Sequence, residues 1–397
     1  MLKVEMLCTG DEVLHGQIVD TNAAWLADYL FQQGLPMSGR ATVGDDLNSL
    51  IDALKKRSLD ADVLIVNGGL GPTSDDLSAL AAAKALGEEL IERPEWIATM
   101  EAYFVARGRT MSASNRKQAM IPSSAKLIDN PVGTACGFSI ELNQCLIFFT
   151  PGVPSELKVM VEQQIVPQLR ERFELGEPPI CLRLTTFGRT ESALAGLIEP
   201  LSFPDGASMG YRSSMPIIEL KLTGPGSLRD EMEKAWQQVR DIAGENCIFE
   251  GTAGLPMLIK QQLQSKKLAL ALSEQFTAGL LNWQLHSVQT PLVAGELMPE
   301  SGAGNLASIA ARARILASHS GADVALAVGG LIDDKVSVAL HVSDKTYGMQ
   351  VRYQARHHSQ RIRQEVTAML ALDMLRRWLK DWSVYGHYEW LTIDETL

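Results

Sequence analysis

The chain has 397 residues, 46% hydrophobic and 21% charged, the balance of a globular protein with room for two or three domains. Its 36 basic and 47 acidic residues leave a net charge of −11, which argues against nucleic acid as the main partner, because neutralising phosphates takes a cationic face. No apolar run approaches a membrane span, and the five cysteines (Cys8, Cys136, Cys145, Cys181, Cys247) are scattered without metal-ligand spacing, so reduced thiols and a cytoplasmic location are expected.

Met1–Glu5 leads into a strand pattern over Val4–Cys8 and lacks the apolar core of a signal peptide. A helix is predicted over Thr21–Gln33, with Trp25, Leu26, Tyr29 and Leu30 at helical spacing. Ala41-Thr42-Val43 precedes Gly44-Asp45-Asp46 and a helix over Leu47–Lys56. The apolar run Val63-Leu64-Ile65-Val66 is followed by a glycine loop and a helix over Leu77–Leu86, then by a longer helix from Glu95 to Arg107. Cys145–Phe149 is a last strand, ending at Thr150-Pro151-Gly152, with a helix from Ser155 onward. Strands alternating with such helices imply a mostly parallel sheet covered on both faces.

The pattern breaks at Leu175-Gly176-Glu177-Pro178-Pro179, a linker. Ile180–Glu250 reads as a small α+β unit with strands at Leu182–Thr186 and Ile217–Leu222 and helices near Glu191–Ile198 and Asp230–Ile242. The remainder reads as a second α/β domain. Its helix over Leu255–Gln264 is followed by strands at Leu268–Leu272, Val324–Val328 and Val336–Val342, with long helices over Asn305–Ser318 and Gln360–Leu379.

The informative stretch is Gly68-Gly69-Leu70-Gly71-Pro72-Thr73-Ser74-Asp75-Asp76, between strand and helix. Strand, glycine turn and helix bring backbone N–H groups to an anion. The adjacent carboxylates Asp75 and Asp76 fit beside a phosphate if a divalent cation lies between them, and they fit equally as helix caps. Thr9-Gly10-Asp11-Glu12, Gly44-Asp45-Asp46 and Pro151-Gly152 follow other strands, so four decorated strand ends converge where open α/β sheets bind ligands. His15 follows the acid motif and reads either as a site residue or as a surface loop residue.

Gly10–Asn22, Val43–Asp46, Gly68–Asp76, Asn130–Phe138 and Pro151–Glu156 together resemble the competence-damage-inducible CinA family, in order, spacing and literal residues, and the likeness spans the chain. The resemblance implies three domains. Residues 1–173 resemble the molybdopterin-binding fold of MoaB/MogA and gephyrin proteins, 178–250 a KH-type α+β domain, and 251–397 an amidohydrolase-like domain. It implies a metal-dependent pyrophosphatase in the first domain, acting on a nucleotide, ADP-ribose, to give AMP and ribose 5-phosphate. With the chemistry of the residues, it nominates Gly68, Gly69, Gly71 and Thr73 as a pyrophosphate cradle and Asp75 and Asp76 as ligands of Mg²⁺, Mn²⁺ or Co²⁺. Glu12 and Asp45 are further catalytic acids, and Asp11, Gly133, Pro151 and Gly152 further substrate contacts. Asn22 is either a donor to phosphate or ribose or a first-turn helix residue. A homodimer is the expected assembly.

The last domain departs from the family pattern. Where the family's deamidase loop reads Glu-Ser-Cys-Thr-Gly-Gly, this chain has Glu274-Gln275-Phe276-Thr277-Ala278-Gly279, and a carboxamide cannot form an acyl-enzyme. Pro291–Glu296 and Val328–Asp334 also replace family segments, so nicotinamide mononucleotide deamidation is not expected and the domain reads as a scaffold. Ser273 reads as an ordinary strand-end hydroxyl. The basic patch of Arg352, Arg356, His357, His358, Arg361 and Arg363 reads as surface, and Trp378, Trp382 and Trp390 as cover for a terminal segment or as a dimer face. The rival functions are a non-catalytic nucleotide- or pterin-binding assembly protein, residual deamidation, and pterin handling.

Overall fold

The computed structural model describes residues 2–299, 305–354 and 359–397, and divides into two compact units, Met1–Pro179 and Ile180–Leu397. The first unit carries strands β1 (Val4–Thr9), β2 (Met37–Val43), β3 (Val63–Asn67), β4 (Leu90–Glu92), β5 (Met120–Pro122), β6 (Lys126–Ile128), β7 (Gly137–Leu142) and β8 (Cys145–Thr150). Its helices are α1 (Asp11–Leu14), α2 (Thr21–Gln32), α3 (Leu47–Asp60), α4 (Ser78–Leu86), α5 (Pro94–Val105), α6 (Pro154–Met160) and α7 (Val166–Arg172).

Six strands form one sheet in the order β2-β1-β3-β8-β7-β6, parallel as far as β8 and antiparallel beyond. Every residue of β1, β3 and β8 is buried, as expected of central parallel strands that are apolar apart from Glu5, which pairs with Arg57 at 2.9 Å, and the polar residue that ends each strand. Leu7, Leu64, Val66, Ile147 and Phe149 face the core closed by α3, α4 and α5. Val4, Met6, Val63, Ile65 and Phe148 face the opposite core, closed by α2, α6 and α7. This is the mixed α/β, three-layer arrangement expected. The strands between Met120 and Leu142 are additional to the expected ones. The β7–β8 hairpin turns at Asn143 and Gln144, with φ of 52° and 67°, a pair without the glycine that usually announces such a turn.

In the second unit, β9 (Ile180–Phe187), β10 (Ser208–Ser214), β11 (Ile217–Gly224) and β12 (Cys247–Glu250) form an antiparallel sheet ordered β10-β11-β9-β12, with helices α8 (Glu191–Ile198) and α9 (Arg229–Ala243). A further sheet is ordered β14-β13-β15-β16-β17-β18, from β13 (Leu270–Glu274), β14 (Leu292–Leu297), β15 (Val324–Val328), β16 (Lys335–Val342), β17 (Lys345–Tyr353) and β18 (Leu391–Thr396). Helices α10 (Leu255–Lys266), α11 (Leu280–Ser287), α12 (Leu306–Ser320) and α13 (Gln360–Leu379) pack with it.

The two sheets of this unit share a core, in which Phe187 of β9 and Ile248 of β12 pack with Leu270, Leu326, Leu372 and Leu375. A buried polar network joins them as well. Arg376, fully buried, donates to Asp373 Oδ1 at 2.6 and 2.8 Å, to the Cys247 carbonyl at 2.9 Å and to the Glu245 carbonyl at 2.7 Å. The Tyr388 hydroxyl donates to Asp373 Oδ2 at 2.8 Å. Glu389 accepts from Thr190 N and Oγ1, both at 2.8 Å, and from Arg189 Nε at 3.0 Å at the start of α8.

Among the described residues no helix is long and apolar enough to cross a membrane. Arg356, His357 and His358 lie outside the described residues. Around them Arg352 pairs with Asp394 at 2.7 Å, Arg361 with Glu365 at 3.0 Å and Arg363 with Asp334 at 2.7 Å. Arg212 and Lys221 both pair with Glu219, at 3.2 and 3.1 Å. Trp390 and Tyr388 lie against Phe187, with ring centres 5.9 and 5.2 Å away.

Candidate functional site

The register aligns Thr9 with Val43, Cys8 with Asn67, and Asn67 with Thr150, so the carboxyl ends of four parallel strands stop level with one another. Above them lies a cavity of about 500 Å³, whose lining includes Glu12, Asn22, Asp45, Gly68, Gly69, Gly71, Asp75, Asp76, Pro151 and Gly152. Asp11, Thr73 and Gly133 are not in that lining.

The glycine loop is built by conformations that only glycine adopts freely. Gly68 has φ of 111° and a Cβ there would lie 2.8 Å from the Thr9 carbonyl oxygen; Gly69 has φ of 69° and a Cβ would lie 2.3 Å from Ser78 Oγ. Ser78 Oγ donates to the Gly68 carbonyl at 2.8 Å and its amide to the Gly69 carbonyl at 3.1 Å, stitching the loop to α4. The Gly68 amide donates to Thr150 O at 2.9 Å. The amides of Gly69, Leu70 and Gly71 meet no acceptor among the described residues.

Several of the expected site residues are engaged within the protein. Thr73 gives its amide (2.9 Å) and its hydroxyl to Asp76 Oδ2, which ties Asp76 to its own loop. Asp11 and Asp45 grip each other, the Asp11 amide donating to Asp45 Oδ2 at 3.1 Å and the Asp45 amide to Asp11 Oδ1 at 3.2 Å. Burial, with the charges of Asp11, Glu12 and Asp75 adding to it, raises the Asp45 carboxyl above its usual range. Asn22 is a first-turn residue of α2, whose cap is Asp20, and it spends both amide hydrogens, on Asn67 Oδ1 (2.9 Å) and Gly152 O (2.7 Å). Asn67 in turn donates to Pro151 O at 2.6 Å and Thr150 Oγ1 at 3.2 Å. Asn22 thus ties the cavity floor together rather than presenting a donor to a ligand. Gly133 makes room for Glu156, since a Cβ there would lie 2.2 Å from the Glu156 carboxyl carbon.

Among the described residues no three His, Cys, Asp or Glu side chains gather in the manner of a metal centre. One oxygen each of Asp76, Asp11 and Asp45 accepts a backbone amide, and no step is routed through a divalent ion.

Glu156 is the lining residue that motif reading passed over, although it ends a quoted motif. It accepts from Asn130 Nδ2 at 2.7 Å, and burial raises its carboxyl above the usual range despite that bond. A folded-state value above the unfolded one stabilises the fold below the ordinary carboxyl range, and that contribution is lost as pH rises through the raised value. Glu156→Gln, which keeps an acceptor for Asn130, should therefore melt higher than the parent at pH 7, with the gap closing toward pH 4; melting curves across that range check it.

In the second unit, fully buried Glu274 caps α11, accepting from the amides of Leu281 (3.1 Å) and Asn282 (2.8 Å). Gln275 donates to Pro299 O at 3.0 Å, and buried Ser273 donates to Glu296 Oε1 at 2.7 Å, within the β13–β14 edge.

A family described as a probable molybdopterin binding domain matches residues 5–171. A CinA-like protein of Escherichia coli (strain SMS-3-5 / SECEC) is 58% identical over all of this chain and 99% of its own length. The NMN amidohydrolase-like protein YfaY of Escherichia coli (strain K12) is also 58% identical, over the same shares. The crystal structure of the protein CinA with unknown function from Thermoplasma acidophilum is 29% identical, covering 43% of this chain and 96% of that one, with a TM-score of 0.38. These relatives overturn the expected ADP-ribose pyrophosphatase activity: the full-length kinship runs to a protein named for amide hydrolysis, and the first half to a binding domain. On the strength of that identity across its whole length, the chain belongs to the CinA-like protein family.

Proposed function

We propose that the first unit binds a phosphorylated small molecule, of the pterin or nucleotide kind, at the glycine-loop cavity, and that the protein acts in the company of nicotinamide mononucleotide amidohydrolase-like proteins. The observation that carries the first half is the loop, where three successive amides without acceptors border a cavity at a sheet's carboxyl edge. Unpaired amides of this kind are costly unless an anionic oxygen or water meets them. The match to a molybdopterin binding domain supports the same reading.

The second half is supported by the name carried by the Escherichia coli K12 relative. By that kinship the protein reads as hydrolase-related. Gln275 supplies no nucleophile, so any amide hydrolysis here runs through another residue. The division at 1–173, 178–250 and 251–397, a cytoplasmic location and a homodimer belong to the same reading; a main sheet in each segment, with a small β4–β5 pair added in the first, and five free thiols support the first two.

Isothermal titration of the whole protein with a phosphorylated pterin and with nicotinamide mononucleotide tests the binding role. Saturable binding that Gly68→Ala abolishes is the expected result; no binding of either compound refutes it. Ammonia release from nicotinamide mononucleotide that survives Gln275→Ala would identify a hydrolase with a different nucleophile, and light scattering reads the oligomer.

A further inference from the structure

An open sheet leaves its two outer strands with a rail of unpaired amides and carbonyls, and natural chains guard such rails with charged side chains. The outer strands of the three larger sheets are β2, β6, β10, β12, β14 and β18. Five of them expose a charge: Arg40, Lys126, Arg212, Glu250 and Glu395 respectively. Among the described residues β14 is the exception, since the residues it exposes are Val293, Gly295 and Leu297.

The backbone turns the open rail outward. Met298 donates its amide to Glu274 O on β13 at 2.8 Å, so by the alternation of a strand the amides and carbonyls of Leu297 and Gly295 point away from the sheet. Gly295 lies against α11, where a Cβ would fall 2.3 Å from Asn282 Oδ1, and a Cβ on Gly279 would sit 3.6 Å from Leu297 Cδ2. One turn on from Gly279, Trp283 is 70% exposed. With Leu297 at 62%, Val293 at 53% and Met298 at 41%, it makes an uncharged apolar strip along the rail.

We propose that β14 pairs antiparallel with β14 of a second copy, about a two-fold axis at Gly295, so that two sheets become one. This gives the homodimer named above its contact, and rests on that reading. A two-fold contact sets a surface against itself, which an uncharged strip accepts and the guarded strands do not. The register of β14 against β13 shifts at Val293, so the straight run offered to a partner is Ala294–Met298. Outward-pointing backbone groups must face each other, which leaves two alignments over that run. One opposes Glu296 to Glu296, like charges about 5 Å apart. The other opposes Gly295 to Gly295, brings Val293 over Leu297, and faces Glu296 with Ala294. Trp283 of each copy then flanks the joined strands as an aromatic anchor.

Sedimentation equilibrium and light scattering on the whole protein, across a concentration series, test it. The parent should be a dimer. Val293→Lys with Leu297→Lys should weaken association by at least about tenfold, because like charges then meet across the axis. Thr396→Lys, on the guarded strand β18, should leave the mass unchanged. Both lysine positions of β14 are exposed, and Trp283→Lys serves if the double variant melts early. Oxidising a mixture of Val293→Cys and Leu297→Cys copies should link the two variants to each other more than either to itself, with the parent's own thiols as background. A dimer indifferent to the β14 lysines, one weakened equally by Thr396→Lys, or Leu297→Cys linking chiefly to itself would overturn the β14 contact and leave a homodimer standing. A monomer at every concentration would bring down both.

Discussion

Arg376→Ala should cost the second unit about 3–5 kcal/mol, on the order of 10 °C in melting temperature. The side chain is fully buried, and its guanidinium answers four acceptor contacts: two to Asp373 and one each to the carbonyls of Cys247 and Glu245. Removing it leaves the Asp373 carboxylate buried with only the Tyr388 hydroxyl and strands two carbonyls, which is why breaking such a pair costs far more than the pair itself contributes. Asp373→Ala should be comparably damaging, and the double variant should cost clearly less than the sum, because each single change has already spent the shared interaction. Urea unfolding followed by tryptophan fluorescence measures all three, Trp236 being buried in this unit. Additive losses would show that the two residues do not act as a pair.

The second large effect is expected at Gly68. Gly68→Ala places a Cβ 2.6 Å from Thr9 Oγ1 and 2.8 Å from the Thr9 carbonyl oxygen, at a φ of 111° that L-residues rarely adopt. The backbone strain alone is about 1–3 kcal/mol, and the carbonyl is part of β1 and cannot swing aside as a side-chain tip can. Relief requires the loop to move away from the strand ends, which shifts the amides of Gly69 to Gly71. Ligand affinity at the cavity should fall by more than tenfold. Gly108→Ala is the matched control: its φ is 65°, but nothing lies within 4 Å of the added atom, so only the modest conformational cost of about 1 kcal/mol applies and binding is unchanged. Calorimetric titration and melting curves on both variants separate strain from loss of the site.

What was legible in the chain followed from short-range rules. Apolar runs marked β3 and β8, a mostly apolar one marked β1, glycines between strand and helix marked the loop, and the acids after β1 and β2 marked the cavity's edge. What was not legible depended on where side chains turn. Nothing local tells that Thr73 folds onto Asp76, or that Asn67, last residue of an apolar strand, shares hydrogen bonds with Asn22 across 45 positions of chain. Gly133 and Asn130 come to Glu156 from a distant loop, so the motif that ends on it gave no sign that its carboxyl is half-buried with a raised pKa. Family likeness carried the fold but not the substrate: a glycine–aspartate loop is compatible with several phosphorylated ligands, and the expected hydrolysis of ADP-ribose went further than those residues allow.

The shared interior of the second unit bears on how this chain tolerates change. Because Phe187 and Ile248 lean on residues that follow position 254, trimming the carboxyl-terminal third would leave the preceding four-stranded layer with an uncovered greasy flank. A substitution at Gln275, whose side chain donates to Pro299 O, leaves that interior in place, whereas loss of the segment lays it open to water.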